Sequence, residues 1–336
     1  MRQTVRENMR LAWSEFRQGR TTLAARPFRA SIEITRNCNY KCLMCPQSWE
    51  PRYRTYDPAL NMSPAVFGRV AAELFPHLEY AHLQGFGETV ISPHWLDMLE
   101  QCRPFFGSVR FGLVTNLSRR HEGMWRDMVA GGFYIIFSCD GATAETFEAI
   151  RQRGRFSHIL ENLETVAQAR RRTGRGRLAF DVTLQSLNYR EMPLFVNLAL
   201  RYGADRLIFA SVGEDLRILP RLGLNGPSRL RRSPLRRLKN LAASALAVAW
   251  RRKALALRHG TFRLSLDGVP STELAELKDE TLRRAARAGL PVSFEDDALD
   301  RLGRAGRGDT PPPLAPDDED IEACISASAR VAWRQR

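Results

Sequence analysis

Three of the six cysteines in the chain fall within eight residues, Cys38-Asn39-Tyr40-Lys41-Cys42-Leu43-Met44-Cys45, with the spacing C-x3-C-x2-C. Thiolates grouped this tightly on one loop can converge on one inorganic centre. A closed zinc or cluster site normally takes four protein ligands. The other cysteines, Cys102, Cys139 and Cys324, are scattered, and none has a paired spacing that marks it as the fourth. On the residues alone the loop reads in three ways. It is a partial zinc site, an electron-transfer cluster, or an iron–sulfur cube on three thiolates with one iron open to an exogenous ligand.

Such a loop needs a scaffold to hold it. Just before it, Ala30-Ser31-Ile32-Glu33-Ile34-Thr35 alternates as a strand does, with Ile32 and Ile34 on one face. Residues 58–61 are turn-like, and Ser63 then caps a helix with Pro64 at its first position and Val66, Val70, Ala71 and Leu74 on one side. Residues 80–84 form a second strand that runs into Gly85-Phe86-Gly87-Glu88. A helix over 94–103 leads to a third strand, 109–114, closing on Thr115-Asn116. A helix over 121–130 precedes a wholly apolar fourth strand, 133–137, which ends in Ser138-Cys139-Asp140-Gly141. Helices over 143–151 and 156–172, a fifth strand at 177–184, a helix over 191–202 and a sixth strand at 206–210 follow. Continuous apolar runs suit parallel strands covered on both faces. Six strands alternating with helices predict a parallel sheet with right-handed crossovers. Barrels of this kind place their chemistry at the C-terminal strand ends. The cysteine loop, Glu88, Asn116, Ser138 and Asp140 all fall there, from four different strands.

Together these residues resemble the radical S-adenosylmethionine (radical SAM) superfamily, whose signature is C-x3-C-x2-C after a first strand. The resemblance implies an α/β fold, a partial (β/α)6 TIM-type barrel, here with a mostly helical C-terminal extension. It implies a [4Fe–4S] cluster on Cys38, Cys42 and Cys45, and S-adenosylmethionine chelated to the open iron through its amino and carboxylate groups. One electron passed into the sulfonium then breaks the C5′–S bond, and the resulting radical takes a hydrogen atom from substrate. The cofactor carries that chemistry while the protein positions it and excludes water. An oxidoreductase is therefore expected, fed by an electron donor such as flavodoxin or ferredoxin and acting on a peptide, a sugar or another small molecule.

The same resemblance assigns roles residue by residue. Tyr40 and Met44 would pack near the adenine or cover the cluster, although an aromatic residue is commoner where Met44 stands. Gly85-Phe86-Gly87-Glu88 is similar to the family's glycine–glycine–glutamate segment. Gly87 would let backbone approach the ligand, and Glu88 would complement the methionine ammonium. Phe86 departs from that pattern by replacing the first glycine, and Thr89 by standing where proline is common. Thr115-Asn116 resembles a pair that lies near the ligand pocket. Ser138 would bond the ligand's carboxylate or ribose, with Asp140 and Gly141 shaping the turn and capping the next helix. Arg151 would grip the methionine carboxylate, as a guanidinium suits a bidentate partner. Gln185 and Asn188 are expected to line the site, and Cys139 reads as a small core residue.

The balance of 51 Lys and Arg against 37 Asp and Glu gives a net charge of +14. No acidic residue occurs between Asp215 and Asp267. A basic surface favours an anionic partner, so an anionic substrate, RNA or an acidic membrane met through 217–258 are all expected candidates. The division of the chain follows: 1–27 a basic helix and lead-in with Leu11, Trp13 and Phe16 as candidate docking residues; 28–212 the barrel core; 213–302 a basic helical extension; 303–336 a linker and tail. Within the extension, 272–288 reads as a helix, and Val292 and Phe294 as a short strand. Cys324 stands roughly where the subgroup with C-terminal auxiliary clusters has its first auxiliary cysteine, so the tail reads as a remnant of such a domain. No apolar run reaches about 18 residues, and residues 1–20 lack the apolar core of a secretory signal. Unpaired cysteines fit a reducing cytoplasm. Two other functions share part of this pattern, an RNA-modifying radical enzyme and a non-catalytic basic iron–sulfur or zinc scaffold. The scaffold has no need of polar residues at four strand ends, and no RNA-binding module is recognisable.

Overall fold

The computed structural model describes residues 3–48, 55–211, 264, 266 and 269–295. The expectations for 217–258, for 303–336 and for Cys324 lie outside the described residues.

The strands are β1 (Arg29–Ser31), β2 (Lys41–Cys42), β3 (Tyr80–His82), β4 (Arg110–Thr115), β5 (Tyr134–Ser138), β6 (Arg151–Gln152), β7 (Arg177–Leu184), β8 (Arg206–Ser211) and β9 (Val292–Phe294). The helices are α1 (Gln3–Arg17), α2 (Pro64–Leu74), α3 (Trp95–Cys102), α4 (Glu122–Ala130), α5 (Ala144–Ile150), α6 (Phe156–Thr173), α7 (Met192–Arg201) and α8 (Ser271–Arg287). Seven strands form one sheet in the order β1-β3-β4-β5-β7-β8-β9, every neighbour parallel. This order follows the chain without reversal, so the sheet has no switch point of the doubly wound kind and forms an open barrel wall.

Alternation along the strands separates two apolar layers. Phe111, Leu113, Ile135, Phe137, Phe180, Val182, Leu207 and Phe209 join the main core with helix residues such as Trp95, Trp125, Leu163 and Phe195. The residues between them, Tyr134, Ile136, Ala179 and Ile208, form a smaller cluster with Val114. The helices thus clothe one face, and the other face is the inner wall, which carries Ser138 and Asp181 towards its C-terminal edge.

Three local outcomes differ from the sequence reading. The first strand is shorter than expected, because after Ser31 the chain leaves β3 and turns to the 60–62 segment. There Met62 N–H donates to Ile34 O (2.8 Å) and Arg36 N–H to Leu60 O (3.1 Å). In α2, Ser63 caps the Val66 amide (3.3 Å) as expected, but the buried side is Phe67 and Ala71. Phe67 meets Phe75 edge-on, and Phe75 meets Phe111 in the same way, so large rings claim the core and Val66 is left 38% exposed. Finally, the stretch 271–295 extends the sheet: α8 packs on α7, and β9 adds a seventh parallel strand beside β8. Among the described residues no helix is long and apolar enough to cross a membrane.

Candidate active site at the C-terminal strand edge

The cysteine loop is held on both sides by backbone. Cys45 N–H donates to Cys42 O (3.1 Å), and Leu43 N–H to Ile150 O (3.0 Å). Strand β2 pairs antiparallel with β6, which sets Cys42 opposite Arg151 and Lys41 opposite Gln152. The buried Gln47 amide donates to Arg36 O (2.6 Å), and Lys41 Nζ to Gln47 O (2.9 Å), closing the loop on its own stem. Cys42 is buried, Cys38 and Cys45 are half-buried, and all three are free thiols. Burial pushes the Cys38 thiol up to about 12, with the Glu88 carboxylate adding to the shift. Burial also raises Cys42 and Cys45, against the pull of the Arg151 guanidinium. Thiols so shifted stay protonated at neutral pH until a metal displaces the proton, so loading the site releases protons.

Three cysteine thiols on one short loop suit iron–sulfur chemistry, in which each thiolate binds its own iron. Cys38 also lines a cavity of about 290 Å3, with Asn37, Asn39 and Gln47 in its walls.

The Glu88 segment is locked against this loop. Glu88 N–H donates to Asn37 O (2.8 Å). Its carboxylate accepts from Thr115 Oγ1 (2.7 Å) and from the Asn116 amide (2.7 Å), which ties the end of β4 to the segment after β3. Burial raises the Glu88 carboxyl to about 6 in spite of those bonds. Asn116 Nδ2 donates to Asn39 Oδ1 (3.0 Å) and lies 4.0 Å from Cys38 Sγ, while Asn39 Nδ2 donates to Ser118 Oγ (2.9 Å). A Cβ at Gly87 would collide with the carbonyl oxygens of Thr35 and Asn37. The glycine is therefore required by the contact between two backbones. Gly87→Ala is expected to cost about 2–3 kcal/mol, as overpacking does, and to lower the fraction of protein that takes up iron. Denaturant melts and an iron assay read the two effects.

Asp140 and Arg151 meet in a buried ion pair, Nη2 to Oδ2 at 2.8 Å. Arg151 Nη1 lies 3.9 Å from Cys42 Sγ. Asp140 Oδ1 accepts the Thr183 amide (2.8 Å). Asp140 does not cap the next helix as expected; Thr143 does so, accepting from the Thr146 amide (3.3 Å). One edge of Arg151 is thus spent on Asp140, and its Nε has no hydrogen-bond partner. Asn188 is a turn staple, accepting from Gln185 N–H and donating to Asp140 O and Thr183 O. Gln185 is fully buried with neither side-chain atom bonded.

The structure gathers Cys38, Tyr40, Cys42, Cys45, Gly87, Glu88, Asn116, Asp140 and Arg151 around the loop. Tyr40 is buried among Arg151, Glu88, Cys42 and Cys38. Met44 and Ser138 stand outside this network: Met44 packs on the main core, and Ser138 is half-buried at the tip of β5, opposite Asp181 in register. Three polar residues of the region escaped sequence reasoning. Asn39 bridges loop and strand end, and its place between the cysteines was the available signal. Asp181 lies on the inner wall, which its alternation with Phe180 and Val182 marks. His82 is buried on β3 with Nε2 unbonded, and burial lowers it to about 4, so it is neutral.

A three-thiol loop at the C-terminal edge of an open parallel barrel, set against a buried carboxylate, defines a cluster-dependent α/β-barrel enzyme. Residues 32–198 match the radical SAM superfamily model, and the chain belongs to that superfamily, whose cofactors are a [4Fe–4S] cluster and S-adenosylmethionine. It is 25% identical over 192 residues to the tungsten-containing aldehyde ferredoxin oxidoreductase cofactor-modifying protein of Pyrococcus furiosus, covering 54% of this chain and 50% of that one. It is 27% identical over 184 residues to the mycofactocin maturase MftC of Mycobacterium tuberculosis, covering 53% and 43%. The chain thus spans about half the length of the curated relatives it matches. In fold it is similar to Streptococcus suis SuiB, solved with S-adenosylmethionine, at a TM-score of 0.57 and 9% identity over 90% of this chain and 57% of that one. SuiB bound to its precursor peptide SuiA superposes with a TM-score of 0.56 at 10% identity, over 88% and 54%.

Proposed function

We propose that the chain cleaves S-adenosylmethionine reductively and abstracts a hydrogen atom from a peptide substrate, fed by a one-electron donor of the flavodoxin or ferredoxin kind in a reducing cytoplasm. The observation that carries the reading is the lock between the three-thiol loop and Glu88, made through Gly87, Asn37 and Asn116. Bound together, the cluster and S-adenosylmethionine supply the one-electron bond cleavage that makes hydrogen abstraction accessible. The work of the chain is to hold them. Cys38, Cys42 and Cys45 are the thiolate ligands. Glu88 keeps acceptor capacity beyond its bonds from Thr115, Asn116 and Val90 and offers it to the methionine ammonium. Arg151 offers its unbonded Nε to the methionine carboxylate while Asp140 fixes its orientation. Tyr40 and Asn116 bound the adenosine side, and Ser138 and Asp181 present polar groups on the inner wall. A peptide is the substrate class favoured by the relatives, one named a maturase and one solved with a precursor peptide.

Anaerobic reconstitution with iron, sulfide, dithionite and S-adenosylmethionine tests this, with 5′-deoxyadenosine as the readout. A folded, cluster-loaded sample that yields none rejects the reading and leaves a scaffold. Glu88→Gln is expected to weaken S-adenosylmethionine binding about 10- to 100-fold, the worth of one charge-assisted hydrogen bond. In the parent, the affinity should fall as pH drops through about 6, because protonation of Glu88 removes the charge that meets the ammonium. The Gln variant should lose that pH dependence. Equilibrium dialysis across pH checks both.

A further inference from the structure

Helix α1 turns almost all of its surface away from the body of the protein. Among its described side chains only Val5 and Glu15 are buried. The Glu15 carboxylate faces inward and accepts from the amides of Ala24 (2.8 Å) and Ala25 (3.0 Å). Asn8 exchanges two bonds with the Arg26 backbone (2.6 and 2.7 Å), so the following turn folds back along the helix. The outward side carries Arg6, Arg10, Trp13, Phe16 and Arg17, spaced three, four and seven apart so that they share one face. Leu11, elsewhere on the helix, and Leu23, beyond its end, are exposed as well. Trp13 is 58% exposed and Phe16 is 71%, with Leu11 at 41% and Leu23 at 53%. The two rings stack on each other at 5.5 Å and 18°, and the Arg17 guanidinium lies 5.5 Å from the centre of the Trp13 ring. The candidate docking residues Leu11, Trp13 and Phe16 are thus all exposed.

We propose that this face of α1 docks on an anionic phospholipid bilayer, with Trp13 and Phe16 entering the headgroup boundary and the arginines meeting lipid phosphates. Basic helices with aromatic and leucine anchors bind such surfaces in the plane, and contiguous exposed apolar area marks a docking site. Charge selects the occupant. Arg6, Arg10, Arg17 and Arg20 are exposed, whereas the carboxylates of the helix are the inward Glu15 and the single exposed Glu7. A second copy would bring the same cations face to face. A peptide needs a groove or a sheet edge, and this surface is the convex ridge of one helix. Single-stranded RNA needs aromatic faces standing open for bases, and here the rings stack on each other. A bilayer accepts a convex cationic ridge with apolar tips.

The test is flotation of the full, cluster-loaded chain with vesicles of phosphatidylcholine alone, and with equal parts phosphatidylcholine and phosphatidylglycerol. Binding is expected on the anionic vesicles and should weaken with salt. Arg10→Gln and Arg17→Gln should each lower the partition about fivefold, the equivalent of about 1 kcal/mol per arginine near such a surface. The double variant Trp13→Ser, Phe16→Ser should lower it at least about tenfold. All four side chains are exposed, so iron content and thermal melting should match the parent, and 5′-deoxyadenosine formation in vesicle-free solution should be unchanged. Failure of the parent to float with anionic vesicles overturns the proposal. So does floating that survives both sets of substitutions, which would move the contact to another basic segment such as 217–258. Loss of RNA or acidic-peptide binding in these variants, with vesicle binding intact, overturns it as well.

Discussion

Serine in place of Cys38, Cys42 or Cys45 leaves reconstituted protein that is short of iron and forms 5′-deoxyadenosine at least about 100- to 1,000-fold more slowly. A structural metal site of four ligands is worth about 10–16 kcal/mol, or about 3–4 kcal/mol for each ligand. Every 1.36 kcal/mol is tenfold, which sets the range. Cys42→Ser should be the most damaging of the three. Cys42 is the buried thiol and faces Arg151 across the β2–β6 ladder, so a hydroxyl there sits in a shell arranged around sulfur. Cys102→Ala is the control. Cys102 is buried in the α3 core away from the loop, and its loss should leave the iron content at the parent value. Iron and sulfide assays with product formation on the same samples decide the matter. Full iron in any of the three serine variants would show that the ligand set is wrong.

Asp140→Asn is expected to destabilise the fold by about 3–5 kcal/mol, the usual result of stripping a buried charge of its partner. An arginine cannot shed its proton in a protein, so Arg151 would be left charged inside. Arg151→Met should be the milder change, because Asp140 can respond by taking up a proton. Burial already outweighs the guanidinium and the Thr183 amide and pushes that carboxyl above its ordinary range. The sign follows from linkage. In Arg151→Met the folded state binds a proton more tightly than the unfolded chain, so the penalty is largest at alkaline pH and shrinks as pH falls through the raised Asp140 pKa. Asp140→Asn has no such relief. Urea melts of both variants between mildly acidic and mildly alkaline pH separate the two behaviours. Equal and pH-independent losses would refute the asymmetry.

Much of this site was legible before any coordinates. Strands β4, β5 and β7 announce themselves as apolar runs, and the polar residues just past them mark the edge where chemistry gathers. The three cysteines needed only their spacing. What stayed hidden was pairing between distant residues. Asp140 and Arg151 were both visible as site candidates, but nothing in a chain of letters says that they neutralise each other. Strands β2 and β6 are two residues each, too short to carry any periodicity. In α2 the period was right but the face was one residue out, because Phe67 and Phe75 had greater claim on the core than Val66 and Leu74. The seventh strand was visible as Val292 and Phe294, but its partner β8 could be found only through the packing of α8 on α7.

The β2–β6 ladder joins two regions that would otherwise fluctuate independently, a thiol-bearing excursion after the first strand and the tip of the fourth unit of the barrel. Thermodynamic reciprocity then couples them. Whatever small molecule settles against the tip of β5 should tighten the hold on iron at equilibrium, and stripping the iron should weaken the affinity for that molecule by the same factor. The metal-free chain should therefore release S-adenosylmethionine instead of retaining it unproductively.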